Sequence, residues 1–119
     1  IQAIAEPGHS LGAEVVSDVV SGAVEALKPT GKRILLIVPD STRTAPVGVV
    51  FKALFARLNG RAAAIDVMIA LGTHPPMTEA AICARLEITP EERSSTYAAV
   101  RFLNHAWNDP SELTELGFI

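Results

Sequence analysis

Three polar segments hold most of the side chains in this sequence that could do chemistry: PDSTRTAP (residues 39–46), GTHPPMT (72–78) and NHAWNDP (104–110). The first offers Asp40 and Arg43, the second His74, the third His105 and Trp107. A guanidinium binds a carboxylate through two parallel hydrogen bonds. A neutral imidazole takes a proton from a hydroxyl, and a carboxylate can orient either group. Asp40, Arg43 and His74 together suit a small hydroxy acid, without fixing the reaction. Thr42 and Thr73 stand beside them as further substrate-binding candidates. Prolines hold the residue before them extended, so His74, which precedes Pro75, is stiffly presented. Each residue also has a plainer reading. Asp40, Ser41 or Thr42 could cap the following helix, and Arg43 could be a surface charge. His105 reads better as a packing or capping residue, and Trp107 as an anchor for the last helix. His9 lies in a Pro-Gly turn and is given no role. The single glycine of the Gly-Thr-His turn, without a phosphate-loop lysine, argues against a nucleoside triphosphate site. The spacing of His74 and His105 is no metal motif.

The elements that must position these segments follow from the apolar pattern. Ser10 is placed to cap a helix running to Leu27, with Leu11, Val15, Val19, Ala23 and Leu27 on one face. RILLIV (33–38) reads as a strand covered on both faces and stopped by Pro39. A helix over 47–58 closes at Asn59-Gly60. AIDVMIAL (64–71) is a second buried strand ended by Gly72. Thr78 caps a helix over 79–86, and Thr89-Pro90-Glu91-Glu92 is a capping box opening another. AAVRFL (98–103) is a third strand, interrupted by Arg101, and Asp109-Pro110 opens a last short helix. Strands alternating with helices predict an α/β fold: a small three-layer parallel sheet of three or four strands, with helices on both faces. In such sheets ligands bind beyond the carboxyl ends of the strands, where all three polar segments fall.

Composition narrows the function. The chain has 119 residues, 49% of them apolar, and a net charge of −3 from 10 Lys+Arg and 13 Asp+Glu. With no basic stripe and no long apolar run, nucleic acid and membrane are poor partners. Cys83 is the one cysteine and reads as a small buried hydrophobe in a protein of the cytoplasm. The sequence starts at Ile1 rather than Met and reads as one α/β domain from the N-terminal part of a longer, two-domain enzyme.

From about Ile34 onward, DSTRTAP, ALGTHPPMTEAAI and NHAWNDP, in this order, resemble the N-terminal domain of the nickel-pincer nucleotide-dependent lactate racemases. That family shows Asp-x-Thr-Arg, Gly-Thr-His-Arg-Pro-Met-Thr and Asn-His-Asp motifs. The resemblance implies racemisation of a 2-hydroxy acid by hydride transfer to a nickel-pincer nucleotide. His74 matches a proton-transferring histidine, Arg43 an arginine near the substrate carboxylate, and Asp40 its neighbouring acid. The second histidine, the tethering lysine and the nickel-ligating histidine match nothing in this chain, so no metal ligand is assigned here and no cofactor is expected on this chain alone. The expected partners are the substrate, the C-terminal domain of the same protein and a second copy covering the cleft side. Pro75 replaces the family's arginine and Ala106 its aspartate, each beside a candidate site residue, so both bear on the substrate and on whether racemase activity is kept. The alternative is a non-catalytic α/β module that binds a small carboxylate.

Overall fold

A computed structural model describes residues 2–115 and Gly117. In chain order the elements are α1 (Ala13–Leu27), β1 (Arg33–Pro39), α2 (Val47–Leu58), β2 (Ala64–Ala70), α3 (Glu79–Arg85), α4 (Pro90–Ser94) and β3 (Arg101–Asn104), followed by a 3-10 turn at Pro110–Glu112. The strands form one parallel sheet in the order β1-β2-β3. The α/β class and the parallel order are those expected.

The period of two along each strand divides the side chains between two faces. In register, Ile34, Leu36 and Val38 stand beside Ile65, Val67 and Ile69, with Phe102 beside Val67. All of these join one core with Val20 and Val24 of α1, Phe51, Phe55 and Leu58 of α2, and Ile82, Cys83 and Leu86 of α3. Fully burying one such aliphatic or aromatic side chain contributes about 1.5–3 kcal/mol. Tyr97 closes this core, its ring 5.3 Å from Phe51 and 4.7 Å from Phe55.

The opposite face is partly exposed among the described residues. Leu35 is 47% and Ile37 66% exposed, and Met68 and Leu103, their neighbours across the sheet, stay outside the core. The expectation of helices on both faces, and of β1 covered on both sides, is therefore corrected for the described residues. The reason is topological. A right-handed crossover always swings over the same face when the strands advance in one direction, and β1, β2 and β3 do so without a reversal.

Local differences have equally local causes. The buried stripe of α1 is Val16, Val20 and Val24, one residue round from the one expected; Leu11, Val15 and Leu27 are exposed. The helix starts after Gly12 with no side-chain cap, so Ser10 does not cap it. With Leu11 and Val15 facing solvent, an extra turn at that end would bury nothing. β1 includes Pro39, which an edge strand tolerates. β3 starts only at Arg101: residues 98–100 form turns closed by Ala98 N–H to Ser95 O and Val100 N–H to Tyr97 O. Arg101, read as an interruption, instead grips Asp66 with two hydrogen bonds of 2.8 and 2.6 Å. The Thr78 cap and the Thr89 capping box form as expected. Asp109 caps a single 3-10 turn rather than an α-helix.

Candidate functional site at the carboxyl ends of β1 and β2

Pro39 and Ala70 are register partners, so the two strands end level and release their loops side by side. Asp40 is the first residue past β1. Its side chain turns back under its own loop, where Oδ1 accepts from the Thr42 hydroxyl at 2.6 Å and from the Thr42 N–H at 3.1 Å. After β2, Leu71 stays in the core and Gly72 takes φ +60°. That left-handed geometry suits glycine and lets His74 N–H reach Leu71 O at 3.0 Å. The turn sets the His74 ring against Asp40, with Nδ1 2.5 Å from Oδ2.

Both Asp40 oxygens are thus engaged, and the residue is 5% exposed. The Thr42 hydroxyl first, then His74 and the Thr42 amide, hold its carboxyl below the usual carboxylate range, against the opposing pull of burial. An ionised carboxylate only accepts hydrogen bonds, so Nδ1 carries the proton. In neutral His74 the lone pair is then on Nε2, on a side chain 52% exposed.

Asp40, Thr42, Arg43 and His74 line one hollow of about 430 Å³, whose walls are completed by Ile37 and Ala70 among others. The Arg43 guanidinium meets no acid and no hydrogen-bond acceptor among the described residues, although the Arg43 main chain is bonded at both N–H and C=O. Thr73 faces elsewhere. With Pro75, His105, Ala106 and Trp107 it lines a second hollow of about 410 Å³, and His74 stands between the two. His9 is exposed in the N-terminal segment. Cys83 is buried, and burial pushes its thiol up, away from the reactive thiolate. No group of three His, Cys, Asp or Glu side chains able to hold a metal occurs among the described residues. No helix among them is long and apolar enough to cross a membrane.

Two residues that sequence reasoning passed over build the rim. Asn104, the last residue of β3, binds both main-chain groups of Met77: its Oδ1 accepts from the N–H and its Nδ2 donates to the carbonyl, each at 2.9 Å. This pins the loop that carries His74. Its signal was its place at the end of a strand, beside the more conspicuous His105. Arg85 donates from Nε to Pro39 O at 3.2 Å and from Nη2 to Arg43 O at 2.8 Å. In sequence it looks like an ordinary basic residue in the last turn of a helix.

With this geometry in hand, comparison with known proteins adds two findings. The sequence profile described as the lactate racemase N-terminal domain matches residues 5–119. A crystal structure of a protein from Thermotoga maritima superposes with a TM-score of 0.73 at 28% identity, covering 87% of this chain and 24% of the other. This chain therefore spans about a quarter of the protein it resembles. No curated protein matches it.

Proposed function

Because the chain belongs to the lactate racemase N-terminal domain family, we propose that it supplies one half of the site at which a full-length protein racemises or epimerises a small 2-hydroxy acid. The observation that carries this is the pairing of a histidine fixed through Nδ1 by a buried carboxylate with a guanidinium on the same hollow that has no partner among the described residues.

In this reading the substrate carboxylate takes the fork of Arg43 and its hydroxyl points at Nε2 of His74. His74 accepts the hydroxyl proton as the C–O bond becomes a carbonyl, and returns it when the carbonyl is reduced again. Asp40 does not take the proton. It fixes the ring and stabilises the imidazolium. Thr42 holds Asp40 in place, and Thr73 is left to the far flank of the ring. Pro75 and Ala106 line that flank and bear on what lies there.

The described residues offer no metal-ligand set, so the nickel-pincer nucleotide suggested by the family would be held by other parts of the protein, including its C-terminal domain. When bound, that group supplies the acceptor for the hydride leaving the α-carbon. A reducing cytoplasm suits the single buried cysteine.

The test is interconversion of lactate enantiomers, and of other 2-hydroxy acids, by the cofactor-loaded full-length protein. Racemisation is expected. His74→Ala should lose about a hundredfold to ten-thousandfold in the chemical step while still binding substrate. Arg43→Lys, which keeps the charge but not the two-pronged match, should mainly raise KM. Carboxylate binding without any interconversion would replace this reading with that of a binding module.

A further inference from the structure

We propose that Arg85 is a positioning residue for the candidate site. From α3 it clamps the loop presenting Asp40 and Arg43 at two points, Pro39 and Arg43, and so sets the geometry of the hollow without touching its contents.

Arg85 lies in the last turn of α3, 46 residues from one of its partners and 42 from the other. It is half-buried, yet it pairs with no acid among the described residues. Its donors go instead to two main-chain carbonyls, Pro39 O and Arg43 O. Those are the residue before Asp40 and the residue whose side chain lines the hollow. A planar guanidinium with donors in a fixed fork can bridge two carbonyls in this way; a lysine ammonium cannot hold the same planar span. Within the loop, Arg43 N–H reaches only Asp40 O, at 3.4 Å, and Thr42 N–H bonds Asp40 Oδ1. The far end of the loop is held where it enters α2, by Val47 N–H to Ala45 O, so between Asp40 and that point the tie from outside the loop is Arg85 on Arg43 O.

The clamp also links the two halves of the hollow. α3 is the helix that follows the His74 loop, and Thr78 caps its start. The Asp40 and His74 loops therefore meet twice, directly through the Asp40–His74 contact and again through Arg85 at the other end of α3. A change at Arg85 should be felt at Arg43 and Asp40 before it is felt in the sheet.

The inference rests on the preceding reading only where it treats the hollow as a carboxylate site; the clamp itself is tested without substrate or cofactor. Amide hydrogen exchange is measured on the full-length protein, unmodified and as Arg85→Met, which keeps the apolar stem and removes the donors. Exchange at Thr42 and Arg43 is expected to quicken by about tenfold or more, as for the loss of charge-assisted hydrogen bonds, while Val67 and Ile69 in the central strand stay protected. Arg85→Lys should fall between the two. If Arg85→Met does not fold, Arg85→Lys carries the same measurement. A folded variant whose Thr42 and Arg43 amides exchange at the original rate overturns the proposal, because a residue that merely packs α3 would leave that loop unmoved. In the full-length protein Arg85→Met should raise KM for the hydroxy acid more than it lowers kcat, with Arg85→Lys restoring part of the loss. Absence of any racemisation by the unmodified protein would count against the proposed function and leave the exchange result to judge the clamp.

Discussion

At the scale of single residues, the site depends on a carboxylate with no spare oxygen. Asp40 gives one oxygen to Thr42 and the other to His74. The Thr42 hydroxyl is the largest influence lowering its pKa, so Thr42→Val should move the Asp40 titration up toward the ordinary carboxylate range. Carboxyl carbon NMR reads this directly, and an unmoved titration would mean that the hydroxyl does not hold the carboxylate. Asp66 is a second lowered carboxyl, held by Arg101 first and by Arg33. Both acids titrate lower in the folded chain than in the unfolded one, so in acid the unfolded chain binds more protons. Their stabilisation is complete above the ordinary carboxylate pKa and is lost as the pH falls through the lowered folded values. The urea midpoint should therefore drop below about pH 4, and Asp66→Asn should flatten that dependence.

At the scale of elements, two glycines meet different constraints. A Cβ on Gly72 would touch nothing within 4 Å, yet its φ of +60° is one that other residues resist. Gly72→Ala should cost about 1–2 kcal/mol through the backbone alone. Gly48, in the first turn of α2, has ordinary φ, but a Cβ there would come within 2.5 to 2.8 Å of the Glu87 side chain. Glu87 itself follows α3 at φ +56°. Gly48→Ala should therefore destabilise by about 1–3 kcal/mol through overpacking. Glu87→Gly added to it should recover most of the loss by removing the obstructing side chain and relaxing the positive φ. Denaturant midpoints of the two single variants and the double variant measure the coupling.

At the scale of the whole molecule, the partly exposed sheet face is the main fact. Parallel sheets are normally covered on both sides, and among the described residues Leu35 and Ile37 stand exposed on one face with Met68 and Leu103 half-buried beside them. Exposed Val15 and Leu27 on α1, and Leu11 just before it, add further apolar surface. An exposed apolar patch of this kind seeks a partner. The chain by itself should self-associate through this face rather than over the hollow at the strand ends, and Ile37→Asp should shift it toward monomer. Sedimentation velocity at rising concentration would show it, and association undiminished by Ile37→Asp would place the contact elsewhere.

Sequence alone determined the features with local physical causes. The Thr78 and Thr89 caps depend on residues three apart, and the strand over 64–70 on an apolar run, broken only by Asp66, that glycine ends. The three polar segments could be placed at strand ends because each follows a mainly apolar run. Tertiary structure decided what depends on residues far apart in the chain. The β1 run looked doubly buried because Leu35 and Ile37 are as apolar as Leu36 and Val38; only the direction in which the strands advance leaves one set facing water. On α1, valines lie at 15, 16, 19 and 20, and the stripe that is buried depends on how the helix packs against α2, a rotation that periodicity leaves free. Arg85 and Asn104 could not be found from spacing, since both act on main-chain groups, at Pro39, Arg43 and Met77, that look alike in every sequence. Asp40 and His74 were legible as residue types. Their contact was not, because it exists only where the level ends of two neighbouring strands and the left-handed turn at Gly72 bring a ring nitrogen to a carboxylate 34 residues away.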